Sequence, residues 1–462
     1  MGWDEMRDAV EGLDKMLNGI ELVDLWFVDL IGALRHVSMT KECFLKNMED
    51  KIITKLDGSS VPGFATIERS DMNLMPDLES MIKIGRIAHI FCFVCKPDGT
   101  PHPADPRYLA KRAENILYEK GLISYWGPEP EFFVFEDVKI RLVEPWLQYV
   151  KIYSKEAPWS GSPYALQHKS AYYRTPPADS LFEYRNKLAE VLSTYGVEAI
   201  CHHHEVATAG QIEVNIRYST LMKMGDNLMI LKYVAKNLAR EMGLYATFMP
   251  KPLYGDNGSG MHVHQNLVST DGVNIFHDEE DDYAMLSQVA RYYIGGLIEH
   301  GRALSAIVAP TVNSYKRLVP GYEAPVYLVW SKANRSAAVR IPAYNIRDEK
   351  SKRVEFRPPD PSCNPYLAFI AMLAAGIDGI NKRIDPGDPI DVNVYHLKSR
   401  PDIRSLPRSL DEALDELESD MEFLTPFIPK DTIEVYVELK RKEALEVNMR
   451  ISPFEYLMYF NV

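Results

Sequence analysis

The chain has 462 residues, enough at roughly 150 residues per domain for two or three domains around a large hydrophobic core. Apolar residues make up 46% and charged residues 25%, a globular balance that excludes disordered and fibrous classes. The formal charge of -13 repels phosphate backbones and anionic lipid, so neither nucleic acid nor a membrane surface is an expected partner.

Met6, Val10, Leu13 and Leu17 recur at helical spacing and predict a short amphipathic helix that stops at Gly19. The β-rich run from Ile20 to Met39, broken by Gly32, and the apolar run from Ile84 to Val94, closed by Pro97-Asp98-Gly99, predict a small sheet domain. Cys92 and Cys95 lie inside the second run, where a strand points them to opposite faces, and no second Cys pair exists to complete a zinc site. They read as buried structural thiols. Five cysteines without disulfide spacing, behind an acidic start with no apolar signal core, suggest a reducing cytoplasm.

Asp105-Pro106 opens a helix with a cap and a proline at its first position, carrying Leu109, Ala113, Ile116 and Leu117 to Gly121 and expected to bridge two domains. Beyond it, strand-like segments alternate with helices in a large α+β or α/β unit. The stretch from Val138 to Gln167, rich in Trp, Tyr and Pro, reads as an irregular surface excursion. Ser180 with Glu183 and Ser409 with Glu412 read as capping boxes. The apolar run from Tyr366 to Ile377 is shorter than the ~20 residues of a membrane span and reads as a buried helix.

Four segments carry chemistry. GPEPEFFVF sets Glu129 and Glu131 two apart, on one face of a strand. In HHHEVATAGQIEVNIRY, a hairpin turning at Ala-Thr-Ala-Gly would bring Glu205 close to Glu213, with Asn215 and Arg217 on the same face as Glu213. YGDNGSGMHVHQ combines Gly255, Gly258 and Gly260, which let backbone approach a ligand, with His262 and His264 on one strand face. RVEFR repeats Arg353, Glu355 and Arg357 at period two. Each pattern alone fits a half-exposed strand. Together they gather like charges that cost several kcal/mol unless cations or substrate offset them. Five carboxylates and one imidazole without thiolate suit Mg²⁺ or Mn²⁺, and two such ions beside Arg317, Arg335, Arg340, Arg353 and Arg357 are what phosphoryl transfer needs. Glu323, between the breakers of Pro-Gly-Tyr-Glu-Ala-Pro, reads as an acid on a mobile flap. Neither a P-loop nor a GxGxxG turn occurs.

These segments, with FVDLIGALRHV, LDGSSVPGFATIERSDMNLMPD and RVEFRPPDPSCNPYLAF, resemble the prokaryotic type I glutamine synthetase family over nearly the whole chain. The resemblance implies a β-grasp domain at 18–103 and a catalytic domain at 104–462 built on an open, barrel-like sheet, assembled as a dodecamer of two hexameric rings. It implies ATP-dependent ligation of ammonium to L-glutamate, with at least two Mg²⁺ or Mn²⁺ ions per site. Carried over by residue, Glu131, Glu205 and Glu213 would hold one metal and Glu129, His262 and Glu355 the other. Asn257, Gly258, Arg317 and Arg357 would hold glutamate. His264, Arg335, Arg340 and Lys350 would contact ATP phosphates, with Arg353 and Tyr218 by the adenine. Asp57, from a neighbouring subunit, would complete the ammonium site with Tyr172 and Glu323.

Ile200 stands where the family usually has a glutamate, and Asn266 where a serine is common. Tyr395 aligns with a tyrosine that some members adenylylate, but lacks the Asp-Leu-Pro-Pro context and is expected to stay unmodified. Alternative readings are a ligase for polyamines or other amines, a guanidino kinase of shared architecture, and a silent structural or sensor homologue. The intact ammonium residues and six metal ligands favour the glutamate–ammonia reading.

Overall fold

A computed structural model describes residues 12–49, 54–143, 147–345, 347–394 and 403–462. The small sheet comprises β1 (Leu22–Val28), β2 (Leu34–Thr40), β3 (Thr54–Asp57), β4 (Asp71–Pro76), β5 (Ile82–Ile84) and β6 (Ile87–Cys95). Their order is β2-β1-β6-β4-β3, with β5 also on β6. The strand β1 is antiparallel to β2 but parallel to β6, with Trp26 opposite Phe91. Its two faces serve two cores. Val23, Leu25 and Phe27 pack with Phe44, Ile90 and Val94 inside the small domain, whereas Trp26 and Val28 join the main core. Burial on both faces explains a continuous apolar run in place of alternation. Cys92 and Cys95 are both buried, as expected, and burial pushes both thiols up, Cys95 to about 12. Leu13 and Leu17 are buried and Gly19 sits at φ +79°, matching the opening helix and its stop; Met6 and Val10 lie outside the described residues.

The helix Pro106–Glu119 starts as expected, the Asp105 carboxylate accepting from the Arg107 amide at 3.0 Å. It bridges the domains through Arg107, whose guanidinium lies 2.7 Å from Asp77 and 2.9 Å from Asp226 on the helix Leu221–Glu241.

The larger part carries β7 (Leu122–Phe135), β8 (Asp137–Val143), β9 (Leu147–Tyr153), β10 (Ala199–His204), β11 (Gln211–Ile216), β12 (Ser219–Thr220), β13 (Tyr245–Thr247), β14 (Met261–Ser269), β15 (Trp330–Lys332), β16 (Val339–Ile341) and β17 (Val354–Phe356). The main sheet runs β10-β11-β7-β14-β17-β16-β15, with β12 and β13 also on β7, giving the expected α+β architecture around a curled sheet. Helices Gln288–Glu299 and Pro365–Lys382 pack behind it, the latter being the predicted buried helix, with Phe369 stacked on Trp126 at 5.0 Å. No described helix is long and apolar enough to cross a membrane.

Two expectations need correction. The region from Val138 is not irregular throughout: β8 and β9 form a separate antiparallel ribbon, Asp137 opposite Tyr153, built on Val, Ile, Leu and Tyr. Ser180 does not cap the helix Phe182–Thr194: Leu181 takes the cap position without a side-chain bond, and the Ser180 amide, the donor a capping-box Glu183 would need, goes to Glu156. Ser409 does cap its helix, accepting from the Glu412 amide at 3.1 Å, but Glu412 turns to Arg302 instead of closing the box. Tyr395 lies outside the described residues.

Candidate active site

Cross-strand pairing assembles the site. Glu129 on β7 faces His262 on β14, and Glu131 on β7 faces Glu213 on β11. Across the next ladders His203 on β10 faces Glu213, His264 on β14 faces Glu355 on β17, and Arg340 on β16 faces Glu355. Residues two apart share a face, so the period-two pattern of each segment becomes one chemical surface. The turn between β10 and β11 is tight: Gly210 adopts φ +85°, and a Cβ there would lie 2.2 Å from the Val134 carbonyl oxygen. That turn brings Glu205 to Glu213, as expected.

Two acid–imidazole clusters result. His203 lies 3.5 Å from Glu205 and 3.4 Å from Glu213, while His262 lies 3.8 Å from Glu129 and 3.9 Å from Glu355. Within each triad one ligand atom per residue falls within 4.8 Å of the others. The first cluster includes His203 where the resemblance implies Glu131. Glu131 is beside it, its carboxylate accepting from the Gly260 amide at 2.9 Å and the Gln211 amide at 3.1 Å.

The electrostatics of the clusters differ. Burial, reinforced by Glu213, pushes the Glu131 carboxyl up to about 8, and burial with Glu131 and Glu213 drives Glu205 well above the usual range. In the second cluster burial alone would raise Glu129 and Glu355, but charge prevails. His264 and His262 hold Glu129 well below its ordinary value, and Arg357, His264 and His262 hold Glu355 at about 2. Burial and then Arg357 lower His262 to about 4, favouring the neutral, ligating imidazole. Carboxylates that resist ionisation in the first cluster, and ionised carboxylates beside the neutral His262 in the second, both suit divalent cations with oxygen-rich coordination.

A cavity of about 870 Å³ contains Glu129, Glu131, Glu205, Glu213 and His262, together with Asn257, Gly258, Arg317, Arg357, Tyr172, Glu323 and Arg335. Asn257 leaves its buried Oδ1 without a partner, and Arg357 its Nε. A second cavity of about 900 Å³ holds Tyr218, His264, Lys350 and Arg353, with Ile200 and Asn266. Glu129, Cys201 and Asn215 line both. Glu355 and Arg340 are buried and line neither cavity; Glu355 is held by Arg340 and Arg357. Asn266 donates to the Lys352 carbonyl at 3.2 Å. Arg217 turns outward to Glu198 and joins neither cavity. Asp57 also lines neither; it ends β3, exposed, with its carboxylate accepting from Ser59 and Ser60. The sequence reading missed His203, Cys201 and Gln211. The signal for the first two was present, since Cys201, His203 and Glu205 alternate in phase.

A catalytic cleft raised on the strands of one sheet, with acid–imidazole clusters and converging arginines, defines an enzyme. The family model for the glutamine synthetase catalytic domain matches residues 103–459, and that for the glutamine synthetase β-grasp domain matches residues 19–97. A glutamine synthetase of Sulfolobus acidocaldarius is 50% identical, covering 98% of either chain. A 3-hydroxylaminophenol mutase of Cupriavidus pinatubonensis is 42% identical, covering 99% of this chain and 100% of that one. The solved glutamine synthetase of Plasmodium falciparum has a TM-score of 0.88 at 27% identity, covering 99% of either chain. The chain belongs to the glutamine synthetase family.

Proposed function

We propose that this protein ligates ammonium to the γ-carboxylate of L-glutamate with ATP, giving L-glutamine, ADP and phosphate through γ-glutamyl phosphate. The observation that carries this reading is the meeting of two cavities at Glu129, one rich in metal-ligand residues and arginine, the other lined by Tyr218, Lys350 and Arg353. Asn257, Gly258, Arg317 and Arg357 hold glutamate. His264, Arg335, Arg340 and Lys350 hold the ATP phosphates, with Arg353 and Tyr218 at the adenine. Glu131, Glu205 and Glu213, with His203 beside them, would hold one Mg²⁺ or Mn²⁺ ion, and Glu129, His262 and Glu355 a second. These ions, when bound, supply positive charge that offsets the phosphates.

A glutamate γ-carboxylate oxygen attacks the γ-phosphorus and ADP leaves, turning a poor leaving group into acyl phosphate while the arginines stabilise the transferring oxygens. Ammonium gives a proton to the Asp57–Glu323 pair near Tyr172, the ammonia nitrogen bonds to the acyl carbon, and phosphate departs with the second proton that the nitrogen sheds to become the amide. The flap bearing Glu323 excludes water. Asp57 reaches the site from a neighbouring subunit in a dodecamer of two hexameric rings. The domains divide at 103/104, and the compartment is the cytoplasm.

Phosphate release from ATP with glutamate and Mg²⁺ or Mn²⁺, comparing ammonium with a panel of amines, tests the reading. Ammonium-stimulated release with glutamine as product supports it. Stimulation by putrescine, ethylamine or another amine alone moves the function to a γ-glutamyl-amine ligase. No turnover with any amine points to a silent homologue or to other chemistry.

A further inference from the structure

The segment that carries Glu323 is fastened at its neighbour. Tyr322 presents its ring to two ammonium groups, Lys169 at 4.2 Å and Lys251 at 3.9 Å from the ring centre. Lys169 also donates to the Gly321 carbonyl at 2.7 Å, so it grips both ring and backbone. Glu323 follows at φ +60°, a left-handed conformation that a residue with a Cβ adopts only when its surroundings hold it. Glu323 lines the first cavity together with His203, Glu205 and Glu213.

The two lysines are themselves tied to one residue. Asp256 is fully buried; its carboxylate accepts from the Lys169 amide and from Thr208, and its carbonyl accepts from the Lys251 ammonium. Lys251 is 9% exposed, and its backbone is pinned at both ends by Asn313, at 2.7 and 3.0 Å. The next residue after Asp256 is Asn257, which lines the first cavity and whose buried Oδ1 has no partner. Asp256 thus joins the loop that would hold glutamate to the segment that would shield the intermediate.

We infer that Tyr322 is a positioning residue: its ring, clasped between Lys169 and Lys251, holds the left-handed Glu323 over the cavity and couples that segment to the Asp256–Asn257 loop. Each cation–π contact adds a modest attraction, and two on one ring are enough to bias an open–closed equilibrium about tenfold. The consequence is control of the acyl phosphate. With the clasp closed, ammonia alone reaches the acyl carbon. With it open, water oxygen bonds there instead, phosphate leaves, the proton passes to solvent, and glutamate is regenerated.

The experiment has two readouts on the full chain, wild type against Tyr322→Leu, Tyr322→Phe and Lys169→Met. Amide hydrogen exchange over residues 319–324 needs no substrate, and phosphate released per glutamine formed reports the shielding. The clasp predicts exchange about tenfold faster in Tyr322→Leu, less so in Lys169→Met, with phosphate outrunning glutamine and the KM for ATP unchanged. Tyr322→Phe, which keeps the ring face, restores both readouts. Wild-type exchange in Tyr322→Leu and Lys169→Met, or a Tyr322→Phe as defective as Tyr322→Leu, overturns the inference. The kinetic readout rests on the ligase reading; a wild type that makes no glutamine removes that reading, while exchange still decides the clasp.

Discussion

Glu131 and Glu213 stand directly opposite each other on neighbouring strands, two buried carboxylates that, together with burial, raise a third, Glu205. Such an arrangement resists ionisation until a cation arrives. His203 sits on the far side of Glu213, 3.4 Å away, and adds a nitrogen donor to an otherwise oxygen site. Imidazole favours Mn²⁺ over the harder Mg²⁺. Replacing His203→Ala is therefore expected to weaken Mn²⁺ binding more than Mg²⁺ binding, while Glu213→Gln weakens both by at least about tenfold. Calorimetric titration of the chelator-treated protein checks this. Equal losses for both ions in His203→Ala would remove the histidine from the donor set.

Much of this was legible in one dimension. The clusters could be read because strands convert period two into a shared face, and Glu129, Glu131, His262, His264 and Glu355 obeyed that rule. His203 was hidden inside a run of three histidines, where only its phase with Glu205 singles it out; pairing with Glu213 bears that phase out. The β8–β9 ribbon was legible in part, since Val138, Ile140 and Leu142 alternate with Lys139 and Arg141, but it buries little, Ile140, Leu142 and Val150 staying exposed, and the Trp, Tyr and Pro that follow obscure it. Ser180 looked like the start of a capping box, but the distant Glu156 carboxylate claims the amide that Glu183 would need. Tertiary partners of that kind leave no local trace.

Asp57 lies outside both cavities of its own chain, so its assigned part in ammonium deprotonation requires a second subunit. Asp57→Ala should lose glutamine formation far more than glutamate binding. A stronger check is mixing. If one chain supplies Glu323 and its neighbour Asp57, inactive Asp57→Ala and Glu323→Ala proteins, dissociated and reassembled together, regain about a quarter of the sites. Reassembled mixtures as inactive as the separate variants would place Asp57 outside the chemistry.

Gly210 carries the hairpin that joins Glu205 to Glu213. Its φ of +85° already disfavours a side chain, and the Val134 carbonyl occupies the place of a Cβ. Gly210→Ala is expected to cost about 2–3 kcal/mol and to weaken metal binding together with stability. Gly272, at φ +88° with open space around it, is the control: Ala there meets the backbone penalty alone. Comparable denaturation midpoints for the two variants would refute a packing role for the turn.

His300 gives a pH dependence remote from both cavities. It joins the helices Gln288–Glu299 and Gly301–Val308, stacks on Phe423 at 4.1 Å, and places its ring nitrogens 2.7 Å from Asp420 and 2.9 Å from Asp378. Burial alone would lower its pKa, but the two carboxylates outweigh burial and raise it. Only the imidazolium donates to both. Lys382, 3.0 Å from Asp378, is the other cation at that carboxylate. A histidine raised on folding contributes stability that is fully present below its unfolded value of about 6.5 and is lost as pH climbs through the folded value. His300→Gln should therefore cost about 1–3 kcal/mol at pH 6 and progressively less on the alkaline side. Thermal unfolding of both proteins at about pH 6 and pH 9 measures the gap. A gap that stays constant across that window would mean that the ring acts by packing against Phe423 and not by its charge.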